Sequence, residues 1–201
     1  QFPVEVVKRC TGLKHIVFLG TGARSYMDPE ALRDECGVEV HIIKGYGDTA
    51  VAEHAFALMW DAARQISAMD AAVRAGEWPR TVGMQLTGKT VGLVGAGGIG
   101  AEMARLCNGI GMRVIAWNRS PRAIPGVEFV PLERLLAESD VVSLHLLLSD
   151  GTRGFLSAER IAQMKPGAIL VNTARGAIVD EDAMTAALRS GRLGHAALDV
   201  Y

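Results

Sequence analysis

Hydrophobic positions in the second half of the chain come in short runs rich in β-branched residues, each followed by a stretch with helical spacing. Thr90-Val-Gly-Leu-Val94, Arg113-Val-Ile-Ala-Trp117, Val127 to Val130, Val141 to Leu146, Ala168 to Val171 and His195 to Leu198 read as strands. Between them, Gly98 to Ile110, Pro131 to Glu138, Ser157 to Met164 and Glu181 to Ser190 read as helices. Such alternation produces a parallel sheet whose right-handed crossovers put helices on both faces. The expected architecture is therefore α/β, with a doubly wound sheet of six strands.

The first quarter repeats the alternation on a smaller scale. Val4 to Arg9 reads as a helix, His15 to Leu19 as a buried strand running into Gly20-Thr21-Gly22, Pro29 to Glu35 as a helix and Glu39 to Ile43 as a strand. Asp28 before Pro29 is a helix start, and Gly37 is a stop. From Thr49 to Ala75, Val51, Ala55, Leu58, Met59, Ala62, Ile66, Met69 and Val73 fall three and four residues apart. That spacing predicts one helix of up to 27 residues, capped by Thr49 and stopped by Gly76, about 40 Å long. A helix of that length, followed by a polar stretch, suits a bridge between two lobes. The organisation expected is a partial first lobe over 1–48, a bridging helix and linker over 49–77, and a second domain over 78–201.

Composition sets limits on this picture. Hydrophobic residues at 49% and charged residues at 21% describe a globular chain. With 21 Lys+Arg against 22 Asp+Glu the net charge is −1, so no basic surface asks for nucleic acid. Cys10, Cys36 and Cys107 are far apart and lack CxxC spacing, so neither a disulfide framework nor a metal site is expected, and a reducing, cytoplasmic setting is. The Thr49–Ala75 stretch is interrupted by Glu53, His54, Asp61, Arg64, Gln65 and Asp70, which argues against a membrane span, and Gln1 to Glu5 do not open a signal peptide.

Two glycine motifs compete for a phosphate. Gly83-Met-Gln-Leu-Thr-Gly88-Lys89-Thr90 has the letters of a P-loop, but a turn precedes it and a β-branched strand follows it. A P-loop needs a helix after its lysine, because the helix N-terminus supplies the amides around the phosphates. Gly95-Ala96-Gly97-Gly98-Ile99-Gly100 sits correctly, after the Thr90–Val94 strand and at the opening of a helix. There Gly95 permits the tight turn, Gly97 lets a pyrophosphate approach the backbone, and Gly100 lets helix and strand pack closely. Dinucleotide binding is the reading of this segment. The residues after the next strand, Asn118-Arg119-Ser120, select the nucleotide, and none is a carboxylate that would repel a 2′-phosphate. Arg119 can pair with that phosphate and Asn118 and Ser120 can donate to it, which favours NADP over NAD; otherwise Arg119 is a solvated loop residue. Farther on, Asn172-Thr173-Ala174-Arg175-Gly176 follows a strand at its carboxyl end, where ligands of open α/β sheets bind. Arg175 there can hold a carboxylate and polarise a carbonyl, or simply form a surface ion pair.

Four segments together resemble the D-isomer-specific 2-hydroxy-acid dehydrogenases, a family that includes phosphoglycerate dehydrogenases and glyoxylate/hydroxypyruvate reductases. They are Val51-Ala-Glu-His54, Gly88 to Gly100, Met164 to Asp180 and Ala196-Ala-Leu-Asp-Val200. The resemblance implies a Rossmann domain beside part of a smaller, flavodoxin-like substrate lobe, and hydride transfer between NAD(P)H and a small 2-keto or D-2-hydroxy acid. It implies that Arg175 binds the substrate's carboxylate and keto oxygen, and that Gly22 and Ala23 hold its carboxylate end through backbone amides. Gly98 and Ile99 would meet the pyrophosphate, Thr21 the nicotinamide end, Leu146, Thr173 and Ala174 the nucleotide's flanks, and Asp199 the carboxamide. Without the resemblance, Asp199 reads as a turn residue.

The resemblance also implies a homodimer, with the Thr49–Ala75 helix as an interface element. It places the family's catalytic His, and the Glu that pairs with it, beyond Tyr201, and makes the chain short at both ends. Its departures from the family pattern are Asn118 in place of the usual acidic residue, no proline in His145-Leu-Leu-Leu148, and a loop after Gly22 longer by one residue. The five histidines read as core or surface residues rather than proton donors. A nucleotide sensor of the same fold without turnover is the alternative function, and a P-loop phosphotransferase is a third.

Overall fold

A computed structural model describes residues 2–20, 22–120 and 123–201. The chain divides into two compact units, residues 1–48 and 49–201.

In the first unit, α1 (Val4–Lys8), β1 (His15–Phe18), α2 (Pro29–Cys36) and β2 (Glu39–Ile42) follow in order. The Asp28 carboxylate accepts from the Glu30 and Ala31 amides at the start of α2, and Gly37 ends the helix at φ 63°. Strands β1 and β2 are parallel, with His15 opposite Glu39 and Val17 opposite His41. The unit's core is small, built on buried Val7, Leu32 and Val38.

The second unit holds a six-stranded parallel sheet in the order β5-β4-β3-β6-β7-β8. Its strands are β3 (Thr90–Val94), β4 (Arg113–Trp117), β5 (Val127–Phe129), β6 (Val141–Leu144), β7 (Ala168–Asn172) and β8 (Leu193–Leu198). β3, β6 and β7 are buried along their whole length, as expected of central parallel strands covered on both faces. On one face α3 (Asp48–Arg64) and α5 (Gly98–Gly109) lay Ala52, Ala55, Met59, Met103, Ala104 and Cys107 against Val91, Leu93 and Val114. On the other, α6 (Leu132–Glu138), α7 (Ala158–Gln163) and α8 (Glu181–Arg189) cover Val94, Ile115, Val142, Leu144 and Leu170. The doubly wound Rossmann architecture is thus present. Among the described residues no helix is long and apolar enough to cross a membrane.

The single helix expected over Thr49–Ala75 is instead two, α3 and α4 (Ile66–Arg74), separated by Gln65 in the left-handed region at φ 54°. The reason is an exchange of hydrogen-bond partners. In an unbroken helix the Ser67 amide would donate to the Ala63 carbonyl. Here that amide donates to Asp61 Oδ1 at 2.7 Å, the Ser67 hydroxyl donates to Asp61 Oδ2 at 2.8 Å, and the Ala63 carbonyl accepts from the Met84 amide at 2.7 Å. This close approach requires Gly83, where a Cβ would stand 2.9 Å from the Ala63 carbonyl oxygen. The P-loop lettering therefore has structural work: Gly83 admits the end of α3, Gly88 turns at φ 81°, and Lys89 leads into strand β3 rather than a helix.

Asp61→Ala removes both acceptors at the start of α4. We expect a loss of about 1 kcal/mol, the usual worth of a helix cap, with faster amide exchange confined to residues 66–69. Unchanged exchange there would show that Asp61 does not set the break.

Candidate active site

The strand order reverses between β3 and β6, and ligands of such sheets bind at the carboxyl edge beside that reversal. The elements emerging there carry nearly all the candidate residues of the second unit.

β3 runs into the glycine turn and then α5. Gly95 adopts φ 98°, and a Cβ on it would lie 2.6 Å from the His145 carbonyl oxygen. A Cβ on Gly100 would lie 2.4 Å from the Gly95 carbonyl oxygen. These two glycines are demanded by packing. Gly97 differs, since a Cβ there meets nothing within 4 Å among the described residues. Gly97 and Gly98 are exposed and Ile99 half-buried, at the opening of a helix whose first turn bears no acidic side chain. The amides that begin a helix have no partner within it, and their aligned dipoles favour an anion. The turn thus combines two crowded glycines with an open, electropositive shelf between them.

At the end of β4, the Asn118 side chain is spent inside the loop: Oδ1 accepts from the Ala96 amide at 3.4 Å, and Nδ2 donates to the Ser120 carbonyl at 2.8 Å. Asn118 couples the β4 loop to the glycine turn. Arg119 and Ser120 are exposed, and Arg119 has no ion-pair partner among the described residues.

β6 ends at Leu144, so His145 and Leu146 belong to the edge rather than to the strand expected through Leu146. The His145 ring meets the Ser143 hydroxyl through Nε2 at 3.0 Å, while Nδ1 is enclosed without a hydrogen-bond partner. Burial holds the imidazole neutral, pushing its pKa down to about 4. Leu146 is half-buried against the core, as is Ala174.

β7 delivers Asn172, Thr173, Ala174 and Arg175. Asn172 is 1% exposed and sits at the centre of the local hydrogen bonding. Its Oδ1 accepts from the Ala174 amide, its Nδ2 donates to the Arg175 carbonyl, and its own carbonyl accepts from the Asp199 amide, each at 3.0 Å. One buried side chain thereby folds the loop that presents Arg175, and its backbone anchors the residue after β8. Half-buried Arg175 donates through Nη1 to the Ala174 carbonyl at 2.6 Å, leaving most of its fork of donors for other partners. Thr173 is buried, and its hydroxyl has no hydrogen-bond partner among the described residues. Asp199 Oδ1 faces His54 Nε2 of α3 at 3.3 Å, both side chains being about half exposed.

In the first unit, half-buried Gly22 opens a short 3₁₀ turn, Ala23–Ser25, in which Ala23 is buried. Thr21 lies outside the described residues. Sequence reasoning overlooked Asn172 and His145 as site-shaping residues. An Asn directly after a buried strand is a recognisable signal, because its side chain hydrogen-bonds the backbone two residues on. His145 gave no such signal, since its significance comes from the glycine turn crossing its carbonyl.

Residues 56–201 match the sequence profile of the D-isomer specific 2-hydroxyacid dehydrogenase, NAD binding domain. The chain is 39% identical to D-3-phosphoglycerate dehydrogenase of Archaeoglobus fulgidus, over 98% of this chain and 38% of that protein. It is 37% identical to hydroxypyruvate reductase of Thermotoga maritima, over 98% of this chain and 65% of that protein. A solved glyoxylate reductase from Paecilomyes thermophila superimposes with a TM-score of 0.89 at 38% identity, covering 100% of this chain and 62% of its own. The chain thus spans between about two fifths and two thirds of the length of these relatives.

Two outcomes follow from the geometry. Asn172→Ala strands the Ala174 amide and the Arg175 carbonyl, and should cost about 1–3 kcal/mol in denaturant unfolding, with exchange rising over residues 173–176; unaltered exchange would refute its role in shaping the loop. For His145, the folded pKa lies below the ordinary 6.5. From pH 6.5 down to about 4 the unfolded chain therefore binds a proton that the folded chain refuses, so stability falls by about 1.4 kcal/mol per pH unit in that window. His145→Gln should remove that share of the slope between pH 7 and pH 4.5, and an identical slope in both proteins would contradict the assignment.

Proposed function

The chain belongs to the D-isomer-specific 2-hydroxyacid dehydrogenase family, and from that premise we propose that it binds NAD(P)H and serves hydride transfer to a small 2-keto acid, or back from the D-2-hydroxy acid. The observation that carries this reading is the open shelf at Gly97 between crowded Gly95 and Gly100, on the same sheet edge as Arg175. A reduced nicotinamide bound there supplies the hydride. The Gly98 and Ile99 amides hold the pyrophosphate, and Gly97 lets it approach. Leu146, Thr173 and Ala174 flank the nucleotide, the unpartnered Thr173 hydroxyl being ready for a polar group, and Asp199 accepts from the carboxamide.

Arg175 engages the substrate's carboxylate with its free N–H groups and stabilises the negative charge that builds on the keto oxygen. Arg119, exposed and without an ion-pair partner among the described residues, pairs with a 2′-phosphate, so NADPH is preferred; Asn118 serves this by shaping the loop and Ser120 by donating. We place the protein in the cytoplasm as a homodimer. The absence of buried residues on α4, with Ile66 and Val73 exposed, supports α4 as part of the contact.

Coenzyme binding, followed by nicotinamide fluorescence on the 201 residues, tests the reading. Gly97→Ala should leave the unfolding temperature within a degree or two and weaken NADPH binding at least tenfold, whereas Gly95→Ala and Gly100→Ala should lose both. Arg119→Ala should weaken NADPH more than NADH. Full coenzyme affinity in Gly97→Ala would overturn the proposed shelf, and intact kcat/KM in Arg175→Ala would overturn the role of that residue.

A further inference from the structure

The β1–β2 register assembles a group that is invisible in the linear spacing of the chain. His15 stands opposite Glu39, and His41, two residues farther along β2, is on the same exposed face. His15 Nδ1 lies 3.0 Å from His41 Nε2, His15 Nδ1 lies 3.8 Å from Glu39 Oε2, and His41 Nε2 lies 3.7 Å from the same Oε2. A circle drawn through three points with those separations has a radius of about 2 Å, the length of a zinc–nitrogen or zinc–carboxylate bond. Among the described residues this is the one group of three His, Cys, Asp or Glu side chains whose ligand atoms all fall within 4.8 Å of one another.

From this geometry we infer that His15, Glu39 and His41 form a binding site for a divalent transition-metal ion, zinc above all. The chemistry of the donors selects the class: two imidazole nitrogens with one carboxylate suit zinc, nickel or copper, whereas calcium and magnesium require oxygen ligands. The imidazoles are tilted by 41° with centroids 5.2 Å apart, so the rings are not stacked and the two nitrogens approach to 3.0 Å. All three side chains are at least half exposed, which keeps the ligands accessible and leaves the ion's fourth position to water. Without the ion, the contact between imidazole nitrogens requires one ring to donate to the other. With it, both nitrogens act as acceptors toward the same cation, and the carboxylate balances part of its charge.

The bound ion ties β1 to β2 across a two-stranded sheet, the kind of sheet least able to hold itself together. A ligand that binds only the folded state raises stability by mass action. This inference stands apart from the dehydrogenase reading, because none of its ligands takes part in coenzyme or substrate binding there.

The test is a zinc chloride titration of the chelator-stripped 201-residue protein at pH 7.5, read by calorimetry and by competition with a chromophoric chelator. One equivalent should bind and raise the unfolding temperature. His15→Gln and His41→Gln should each weaken binding at least tenfold, Glu39→Gln several-fold, and the double histidine variant should lose the thermal shift. These exposed substitutions leave the core untouched, which circular dichroism of the metal-free variants checks. Cys10→Ser should bind like the parent. No zinc uptake, uptake that survives in the double histidine variant, or uptake lost in Cys10→Ser would each overturn the site.

Discussion

Three backbone segments meet more closely at the sheet reversal than any side chain would allow. The turn after β3 lays Gly95 against the His145 carbonyl, and α5 brings Gly100 onto the Gly95 carbonyl, with virtual Cβ distances of 2.6 and 2.4 Å. That double contact fixes where α5 begins relative to β3 and β6, and so fixes where the opening amides of the helix point. Asn118 and His145 at the carboxyl edge are tied directly to it. The Asn118 side chain reaches the turn through the Ala96 amide, and His145 has its carbonyl pressed against Gly95 while its ring is enclosed. Gly97 lies between the two crowded positions, yet a Cβ on it would meet nothing within 4 Å among the described residues, which separates a glycine demanded by packing from one that is not.

The two edges of the sheet are locked by different means. At the amino edge Asp140 does the work: its carboxylate accepts from the Thr90 amide and from Lys165 Nζ, each at 2.8 Å. Partial burial opposes ionisation of Asp140, but the hydrogen bonds from Lys165 and Thr90 outweigh it, and its pKa falls below the usual carboxylate range. These bonds tie the starts of β3, β6 and β7 together. At the carboxyl edge Asn172 is satisfied internally so that its neighbours need not be. Its amide consumes the backbone groups of the loop, and the Thr173 hydroxyl and most of the Arg175 fork are left over. A neutral buried amide suits that task, because a carboxylate there could not donate to the Arg175 carbonyl and would bury a charge.

How far the chain could be read without its structure depended on the kind of signal. The strands and helices of the second unit were legible because full burial on both faces forces runs such as Ala168 to Val171, and because the glycine turn joins a strand to a helix at fixed spacing. The break at Gln65 was illegible, since the helical periodicity continues through it and the cause lies in a tertiary partner, the Met84 amide. The same is true of Asn118, whose side chain is consumed by Ala96 and Ser120, which no inspection of Asn118-Arg119-Ser120 would reveal. Residue types announce what they can bind, whereas local packing decides which of those capacities remain unspent.

That distinction also explains why the first unit carries a convergent polar group on its surface. Among the described residues its core rests on Val7, Leu32 and Val38 with partly buried neighbours, and its sheet has two strands. A parallel pair of strands presents its side chains in register on one face. Where that face is exposed, residues opposite one another are drawn together by the ladder alone, without a core to set their distances. His15, Glu39 and His41 meet because the backbone hydrogen bonds of β1 and β2 place them there. The second unit, with a helix layer on each face of six strands, keeps its polar links at the two edges of the sheet, Asp140 with Lys165 at one and Asn172 at the other.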